Sequence, residues 1–489
     1  MKLEQILSNL PFCQVPAGSG NIDVHKIEMD SRAVEKGDLF VCIKGFTVDG
    51  HDYIDQAVAN GAAAILAEKA VETSVPVIVV KDTSQALAEA ANAFYRQPTK
   101  EFSLIGVTGT NGKTTVTYLL EQIFQKHAQK TGVIGTIQTK IGEKVFPVNN
   151  TTPDALLLQR TFREMADAQV DTVLMEVSSH ALDLGRVHGS DFDVAIFTNL
   201  SQDHLDYHKD MEDYLFAKSL LFSRLGNTFE AEKRKFAVLN ADDPHSELLA
   251  RSTAQHILTY ACKQPADVTA GEINLAVTHT EFTLETPVGS IRIDSKLIGM
   301  FNIYNMLAAS TAAIAKGVPL AVIKEALETI PGVDGRFEAV REGQPYAVIV
   351  DYAHTPDSLE NVLLTIKEFA ERKVYVVVGC GGDRDRTKRP LMAGIALKYA
   401  DEAILTSDNP RTEDPSVILA DMTEGLATDN YTVIADRKAA IEHAIAIAEA
   451  GDIILIAGKG HETYQIVGHT KHDFDDRVIA RQAIQSKGA

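Results

Sequence analysis

The segment FSLIGVTGTNGKTTVTYLLEQIF, residues 102–124, decides the fold of this chain. Its first apolar residues predict a buried strand, and the apolar spacing after Lys113 predicts a helix. The turn between them differs by one residue from the phosphate-binding pattern G-x-x-x-x-G-K-[ST], because Val107 stands at the first glycine. We therefore expect a strand, a glycine-rich loop and a helix, which is the context that the pattern requires.

The loop after this strand has the chemistry to hold a nucleoside triphosphate. Glycines let backbone N–H groups approach phosphates, the helix N-terminus favours anions, and the lysine adds a positive charge. The Thr114 hydroxyl can meet a magnesium ion. A tight glycine turn with a surface lysine is the alternative. The residues predicted to bind ATP here are Gly109, Thr110, Asn111, Gly112, Lys113, Thr114 and Thr115.

Apolar strand segments alternate with helical segments along most of the 489 residues. This rhythm predicts an α/β fold with ligand loops at the carboxyl ends of the strands. TEFTLETPVGSIRID instead predicts an antiparallel hairpin. We expect three domains: an N-terminal α/β domain (1–100), a central P-loop ATPase-like domain with a parallel or mixed sheet (101–332), and a C-terminal Rossmann-like α/β domain (333–489).

Composition limits the functional classes. The chain has 47 Lys+Arg against 67 Asp+Glu, and a net charge of −20 opposes non-specific nucleic-acid binding. The four cysteines form no CxxC pair, which argues against a zinc site and a disulfide scaffold. No apolar run approaches the roughly 18 residues of a membrane span, and no signal-peptide core is present. We expect a soluble cytoplasmic protein with no nucleic-acid or membrane partner.

Two later strand segments end in polar clusters, EVSSHAL (176–182) and TNLSQDHLDYH (198–208). If both strands belong to the sheet of the phosphate loop, the clusters face the γ-phosphate. Glu176 is the best candidate for a magnesium ligand, because magnesium prefers hard oxygen ligands. His204 is a less usual ligand. The following helix carries Lys218, which by pattern alone is a solvated lysine.

The loop LTSDNPRTEDP, residues 405–415, holds one arginine, Arg411, among carboxylates. Asn-Pro and Asp-Pro predict turns on both sides of it. The loop is either a solvated surface segment or a clamp for a carboxylate. Upstream, GGDRDRTKR (381–389) ends a predicted strand and concentrates basic residues, which we interpret as an anion site: Arg384, Arg386, Lys388 and Arg389.

These segments, together with GMFNIYNMLAA, GRFE, DYAHTPDSLE and GKGHE, resemble the motifs of the Mur ligases, in order, over essentially the whole chain. DNPR most resembles the members that add meso-diaminopimelate. The resemblance implies a monomeric, cytoplasmic ligase of peptidoglycan precursor synthesis that uses ATP and Mg²⁺. ATP would phosphorylate the D-glutamyl γ-carboxylate of UDP-N-acetylmuramoyl-L-alanyl-D-glutamate, and the amine of meso-diaminopimelate would attack the acyl phosphate.

The resemblance also implies roles for individual positions. Those around the nucleotide are Asn305, Arg336, Asp351 and His354. The metal contacts are Thr114, Glu176, His204 and Lys218, the last carbamylated by carbon dioxide. The implied contacts to the UDP-muramoyl-peptide in the first domain, which make it a UDP-binding domain, are Ser31, Phe46, Thr47 and Val48. Those to the muramoyl-peptide in the central domain are Asn150, Thr151, Thr152, Ser178 and Arg186. The diaminopimelate contacts are Arg384, Asp408, Asn409, Pro410, Arg411, Gly458 and Glu462.

Within this resemblance Arg411 becomes a candidate specificity residue. Diaminopimelate has a distal carboxylate that L-lysine lacks, and the planar guanidinium of arginine binds carboxylates bidentately. A ligand without that carboxylate would leave a cation uncompensated, which discriminates strongly. The alternatives are an L-lysine-adding ligase of the same fold, another ATP-dependent amide ligase such as a folylpolyglutamate synthetase, and a non-catalytic nucleotide-binding protein.

Overall fold

The computed structural model describes residues 1–10, 13–45, 48–148, 150–230, 233–276 and 279–488. Phe46 and Thr47, two predicted substrate contacts, lie outside the described residues. The described strands form sheets of four, eleven, six and two strands. The three larger sheets follow one another along the chain, as expected of an α/β fold with three parts. The domain limits at residues 100 and 332 remain predictions.

The first sheet is parallel, with its strands in chain order. Its strands are β1 (Ile27–Glu28), β2 (Leu39–Val41), β3 (Ala64–Ala67) and β4 (Val77–Val79). The helices of this region are α1 (Leu3–Ile6), α2 (Ile54–Asn60) and α3 (Thr83–Phe94). The longest of them, α3, begins after Asp82, whose side chain accepts from the backbone N–H groups of Ser84 and Gln85.

The eleven-stranded sheet holds the phosphate loop. Its strands are β5 (Ser103–Thr108), β6 (Thr131–Ile134), β7 (Thr139–Ile141), β8 (Lys144–Phe146), β9 (Thr172–Glu176), β10 (Val194–Phe197), β11 (Phe236–Asn240), β12 (His256–Ala261), β13 (Val268–Leu275), β14 (Thr280–Thr286) and β15 (Gly289–Ser295). Its helices are α4 (Lys113–Lys126), α5 (Ala155–Asp167), α6 (Ser179–Asp183), α7 (Met211–Ser223), α8 (Ser246–Ser252), α9 (Met300–Ala315) and α10 (Leu320–Thr329).

The order of this sheet is β15-β14-β13-β12-β11-β10-β5-β9-β6-β7-β8. The strands from β13 through β6 pair in parallel, and antiparallel strands extend both edges. The sheet is therefore mixed, and β14 with β15 is the predicted hairpin. Because β5 lies between β10 and β9, the loops that follow these three strands meet at one edge of the sheet.

Side-chain alternation along β5 explains the two layers of helices. Ile105 and Val107 belong to the core that α4, α9 and α10 cover, whereas Leu104 belongs to the core under α5 and α7. Successive side chains of a strand point to opposite faces, so a strand covered on both sides is apolar throughout. The continuous apolar run in the sequence is a consequence of this burial.

The third sheet, in the order β16-β17-β21-β18-β19-β20, is parallel except for β16. Its strands are β16 (Glu338–Ala339), β17 (Ala347–Asp351), β18 (Val374–Cys380), β19 (Glu402–Ser407), β20 (Tyr431–Val433) and β21 (Ile453–Ala457). Its helices are α11 (Pro356–Phe369), α12 (Lys388–Tyr399), α13 (Pro415–Thr423), α14 (Arg437–Ile447) and α15 (Asp476–Gly488). A separate antiparallel hairpin joins β22 (Tyr464–Val467) to β23 (Thr470–Asp473).

Helices cover both faces of the third sheet. Val376 and Val378 face the core under α11, α12 and α13, and Val377 faces the core under α14 and α15. This doubly wound arrangement confirms the expected Rossmann-like class. Within the described ranges, no helix combines the length and apolarity needed to cross a membrane.

The core under α4 gives a direct test of this packing. Phe124 is 1 % exposed, and we expect Phe124→Ala to lower the free energy of unfolding by about 3–5 kcal/mol. Phe229 is 65 % exposed, and Phe229→Ala should change it by less than about 0.5 kcal/mol. Urea unfolding followed by circular dichroism measures both. Equal effects of the two substitutions would contradict the packing described.

Candidate functional site

The phosphate loop lies between β5 and α4, as predicted. Gly112 has a φ of +86°, and a Cβ atom there would collide with Asn305 Oδ1. Lys113 Nζ donates to the carbonyl oxygens of Gly109 at 2.9 Å and Thr110 at 2.8 Å. The lysine thus lies over the loop, where it can exchange these neutral acceptors for phosphate oxygens.

A buried carboxylate joins the loop to the neighbouring strand. Glu176, at the end of β9, has no exposed surface, and its Oε2 accepts from Thr114 Oγ1 at 3.0 Å. Its two oxygens also accept from the N–H of Thr136 at 2.8 Å and the Thr136 hydroxyl at 3.0 Å. The predicted metal contacts Glu176 and Thr114 therefore touch, and both offer the hard oxygens that magnesium prefers.

Lys218 is buried and is not the solvated lysine that its helix pattern suggested. Its side chain is 1 % exposed, and Nζ donates to Gly109 O at 2.9 Å. Nζ also lies 4.3 Å from the centre of the Tyr214 ring. Burial and, secondarily, the charge of Lys113 hold the pKa of Lys218 well below its usual value, although Asp203 opposes this. The structure brings this amine to the same loop as Lys113.

His204 has a φ of +56° and contacts neighbouring rings edge-on, including that of Tyr214 next to Lys218. Its ring centre lies 4.9 Å from that of His180 and 6.0 Å from that of Tyr214. His204 Nε2 is 3.4 Å from Asp203 Oδ2. The polar cluster after β10 therefore lies beside the phosphate loop, as the strand-end argument predicted.

The predicted nucleotide residues come from two sides of the site. Asn305 on α9 is buried under the loop at Gly112. Arg336 donates from Nη2 to Thr114 Oγ1 at 3.2 Å and stacks on the Tyr352 ring, with Cζ 4.6 Å from its centre. The buried Nε of this arginine has no hydrogen-bond partner in the described structure. This orphaned donor is consistent with a missing anionic or carbonyl ligand.

Asp351 and His354 follow β17 on the other side of the site. Asp351 accepts from the N–H of Phe337 at 2.6 Å, and His354 Nδ1 lies 2.8 Å from Tyr352 O. Burial raises the pKa of Asp351 from 3.8 to about 6, although Arg336 and the N–H of Phe337 act in the opposite direction. Both hydrogen bonds stay within the third sheet region, which Arg336 joins to Thr114 at the phosphate loop.

Several residues that are predicted to contact the UDP-muramoyl-peptide lie around Glu176. The Thr136 hydroxyl lies 3.1 Å from Thr151 Oγ1, and Thr152 Oγ1 donates to Glu176 O at 2.8 Å. Arg186 donates to Thr152 O at 3.0 Å. Ser178 caps α6, and its N–H donates to Thr152 Oγ1 at 3.1 Å. Asn150 next to them is exposed.

The remaining described residues that are predicted to contact the UDP-muramoyl-peptide, Ser31 and Val48, belong to the first sheet region. Ser31 is buried and donates to Gln56 Oε1 at 2.8 Å, while Asn60 donates to Ser31 O at 2.8 Å. Val48 is 56 % exposed. Both serine contacts stay within this region, and the predicted uridine-binding role remains a prediction.

Arg411 lies in a backbone conformation that fixes its direction. It has a φ of +52°, its N–H donates to Ile466 O at 3.0 Å, and its carbonyl accepts from Gly468 N at 2.7 Å. Nη1 donates to Gly382 O at 2.7 Å. A non-glycine residue in the left-handed region persists only where its surroundings hold it there. The loop is therefore anchored to the β22–β23 hairpin and is not a freely solvated segment.

Four other residues that are predicted to contact diaminopimelate lie close to one another: Asp408, Asn409, Gly458 and Glu462. Asn409 is buried, donates to Glu462 Oε2 at 2.9 Å, and accepts from Lys459 Nζ at 3.1 Å. Gly458 has a φ of +115°, and a Cβ atom there would lie 2.9 Å from Asp408 Oδ2. Asp408 thus lies against Gly458, and the Asn409 side chain is already bonded to Glu462 and Lys459.

The expected anion site in GGDRDRTKR is only partly right. Arg389 is fully buried and pairs with Glu413 at 2.8 Å and Asp421 at 2.7 Å. Arg386 pairs with the same Asp421 at 2.9 Å. Two of the four cations are therefore neutralised by carboxylates of the chain itself. Arg384 is exposed and, among the described contacts, donates to a backbone oxygen, that of Asp383.

Family models cover most of the chain. The Mur ligase middle domain matches residues 107–313, and the glutamate ligase domain of Mur ligases matches residues 335–460. A third model, the catalytic domain of the Mur ligase family, matches residues 23–95. The chain belongs to the Mur ligase family.

Among curated proteins, this Mur ligase is 62 % identical over 492 residues to a UDP-N-acetylmuramoyl-L-alanyl-D-glutamate--2,6-diaminopimelate ligase from Oceanobacillus iheyensis, and the match covers 100 % of both chains. It is 56 % identical over 489 residues, again 100 % of both chains, to the ligase of the same name from Geobacillus thermodenitrificans. A solved structure under that name is 35 % identical, covers 100 % of this chain and 99 % of its own, and superposes with a TM-score of 0.73.

Some supporting residues of this Mur ligase were not predicted from its sequence. Arg437 and Asp476 form a fully buried bidentate pair at 2.7 and 2.8 Å, and Arg437 also donates to Ala457 O, beside Gly458. Asp357 accepts hydrogen bonds from the phosphate loop. Partners 39 residues apart in sequence carry no local signal, whereas the carboxylate at the start of α11 was visible in the DYAHTPDSLE segment.

The raised pKa of Asp351 predicts a dependence of stability on pH. The folded protein binds this proton more tightly than the unfolded chain does, so stability from the protonated carboxyl is lost as pH rises from about 4 to about 6. Relative to Asp351→Asn, the wild type should lose on the order of 3 kcal/mol across that window. Urea unfolding without nucleotide measures the difference, and a constant difference over this range would contradict the burial of Asp351.

Proposed function

We propose that this chain is an ATP-dependent ligase that joins meso-diaminopimelate to the D-glutamyl γ-carboxylate of UDP-N-acetylmuramoyl-L-alanyl-D-glutamate, forming ADP and phosphate. One observation carries the proposal. The DNPR loop holds Arg411 in a left-handed backbone conformation. In the same chain Arg336, which precedes the third sheet, donates to Thr114 at the phosphate loop. The relatives named as diaminopimelate ligases match over their whole length and support it.

Phosphoryl transfer is the first step of the proposed reaction. An oxygen of the γ-carboxylate attacks the γ-phosphorus of ATP, ADP leaves, and the carboxylate becomes an acyl phosphate. Lys113 and the backbone N–H groups at the start of α4 would hold the phosphates in line. The acyl phosphate is needed because a bare carboxylate resists attack by an amine.

Amide formation is the second step. The neutral amine of the amino acid attacks the acyl carbon, a C–N bond forms, and the C–O bond to phosphate breaks. The amine loses a proton in the process. The contribution of the protein is to orient the two substrates and to stabilise the charge on the phosphoryl oxygens. Arg336, which has a buried orphaned Nε, is suited to this second role.

Magnesium fits the donor set of the site. Thr114 Oγ1 and Glu176 Oε2 are 3.0 Å apart and are hard oxygens, and the loops that carry them are fixed by β5 and β9. His204 would add a nitrogen ligand. When bound, the ion supplies positive charge that neutralises crowded phosphate oxygens. The proposal therefore includes Mg²⁺ as a cofactor with ATP.

We further propose that Lys218 carries a carbamate. The depressed pKa favours the neutral form of its amine, and a neutral amine attacks carbon dioxide: an N–C bond forms and one proton is released to solvent. The product is a carbamate anion on Lys218, beside Lys113. It replaces an amine that, if protonated, would be a second cation at this loop. This conversion removes the unfavourable burial of two like charges at one loop.

Selection between amino acids is assigned to Arg411. We propose that its guanidinium binds the distal carboxylate of meso-diaminopimelate, that Asp408 and Glu462 meet the distal amine, and that Arg384 meets the carboxylate next to the reacting amine. Gly458 would let the backbone approach the ligand. L-lysine would leave the arginine without its anion, which is the unfavourable case.

Phosphate release by the purified protein tests the proposed reaction. With Mg-ATP and UDP-N-acetylmuramoyl-L-alanyl-D-glutamate, we expect turnover with meso-diaminopimelate and at least 10³-fold lower kcat/KM with L-lysine, since an unpaired buried charge is costly. Arg411→Ala should lower kcat/KM for diaminopimelate by about 10²-fold or more and reduce the preference. Arg251→Ala, at an 80 % exposed side chain on α8, is a matched control.

Two results would contradict this assignment. Turnover with L-lysine at a similar rate would keep the ligase and remove the role of Arg411. Turnover with neither amino acid would remove the proposed ligase reaction itself, in favour of another acceptor or a non-catalytic nucleotide-binding protein.

Labelled bicarbonate tests the modification of Lys218. In ¹³C-bicarbonate we expect a carbamate ¹³C resonance in the wild type that is absent from Lys218→Met, together with at least 10²-fold loss of turnover in the variant. Short carboxylic acids should partly restore that turnover, because they supply the missing anion. A wild-type spectrum without the resonance, at full activity, would contradict the modification.

A further inference from the structure

Asp357 lies where the third sheet region meets the phosphate loop. Its Oδ2 accepts from Asn111 Nδ2 at 2.8 Å and from Ser201 Oγ at 2.7 Å. Asn111 belongs to the loop between β5 and α4, and Ser201 follows β10, so both donors belong to the eleven-stranded sheet. One carboxylate oxygen from the third sheet region thus bonds two loops of another part of the molecule.

The start of α11 leaves Asp357 free for this contact. Thr355 caps the helix by accepting from the N–H of Ser358 at 3.2 Å, and Ser358 Oγ in turn accepts from the N–H of Thr355 at 3.0 Å. Pro356 occupies the first helical turn, where no N–H donor is needed. A carboxylate in this first turn is favoured by the helix dipole but is not needed as the cap.

Asn111 and Ser201 are themselves held by hydrogen bonds between the phosphate loop and the segment after β10. The N–H of Asn111 donates to Asn199 Oδ1 at 3.0 Å, and the carbonyl of Asn111 accepts from Thr198 Oγ1 at 2.6 Å. The N–H of Ser201 donates to Thr110 Oγ1 at 3.0 Å. These bonds hold residues 110 and 111 in place without Asp357, so the carboxylate sets the position of α11 relative to a loop that keeps its own shape for ATP.

Besides the hydrogen bond from Arg336 Nη2 to Thr114 Oγ1, the same two regions share an apolar contact that is less specific in direction. Phe301 and Phe337 pack with ring centres 5.4 Å apart, and this apolar contact tolerates sliding. Hydrogen bonds weaken steeply with misalignment, so the pair of bonds to Asp357 defines one relative position of α11 and the loop. The apolar contact holds the regions together, and the carboxylate defines their register.

We infer that Asp357 is a positioning residue, a latch that couples the seating of the third sheet region to the geometry of the phosphate loop. The inference rests on the proposed ligase function, because that reaction needs the amino acid and the γ-phosphate brought together from these two regions. Asp357 acts through Asn111 and Ser201, the two residues whose side chains bond its carboxylate. Its effect should therefore appear in turnover of the full substrate set and not in nucleotide binding alone.

Steady-state turnover and nucleotide binding together test the latch. We expect Asp357→Ala to lower kcat/KM for diaminopimelate about tenfold, the scale of a lost hydrogen bond to a charged group, while the Kd of ATP measured alone changes less than about twofold. Asp357→Asn keeps an oxygen acceptor for both neutral donors and should restore most of the activity. Glu360→Ala, on the same helix but bonded to Lys398 and Tyr399 of α12, should leave turnover unchanged.

A double-mutant cycle identifies the partner. Ser201→Ala combined with Asp357→Ala should lose no more activity than Asp357→Ala alone, because both remove the same bond. Losses that multiply would overturn the latch, as would wild-type kcat/KM in Asp357→Ala. Equal losses of ATP binding and turnover would also overturn it, because they would indicate a general structural role.

Small-angle scattering tests the latch without turnover. With Mg-ATP present, Asp357→Ala should have a larger radius of gyration than the wild type and Glu360→Ala, which should agree with each other. Identical radii in all three proteins would overturn the latch. If the wild type joined neither amino acid, the proposed function would fail while this comparison still decided the role of Asp357.

Discussion

The buried carboxylate of Glu176 is the group on which the rest of the site depends. It ends β9 without exposed surface and accepts from Thr114 on α4 and from Thr136 after β6. A buried carboxylate without such donors would be strongly unfavourable. The phosphate loop and two neighbouring strand ends are therefore fixed relative to one pair of carboxylate oxygens, which are the hard ligands that the proposed Mg²⁺ would prefer.

Charge is handled in opposite ways on the two sides of the site. Around the phosphate loop, Lys218 is buried beside Lys113 without an ion pair among the described contacts, so the site favours a neutral amine or an added anion. In the third sheet region, Arg437 and Arg389 are buried with full carboxylate partners. Arg411, in contrast, forms no ion pair among the described contacts, and its Nη1 donates to Gly382 O.

The sequence predicted the elements whose signal is local. β5, β9 and β10 were visible because a strand buried on both faces is apolar throughout, and the glycine pattern identified their shared edge. Lys218 was not predictable by periodicity, because α7 is apolar on nearly every side. The neutralisation of Arg389 was missed because Glu413 and Asp421 lie 24 and 32 residues away. The Asp357 contact crosses 246 residues.

Isotope transfer tests the central chemical claim, that this site activates a carboxylate as an acyl phosphate. Both oxygens of the D-glutamyl γ-carboxylate would be labelled with ¹⁸O, and phosphate released during ligation would be analysed by mass spectrometry. Each phosphate should carry one ¹⁸O atom, because a carboxylate oxygen becomes the bridge to phosphorus and leaves with it. Unlabelled phosphate formed together with the amide product would contradict the account.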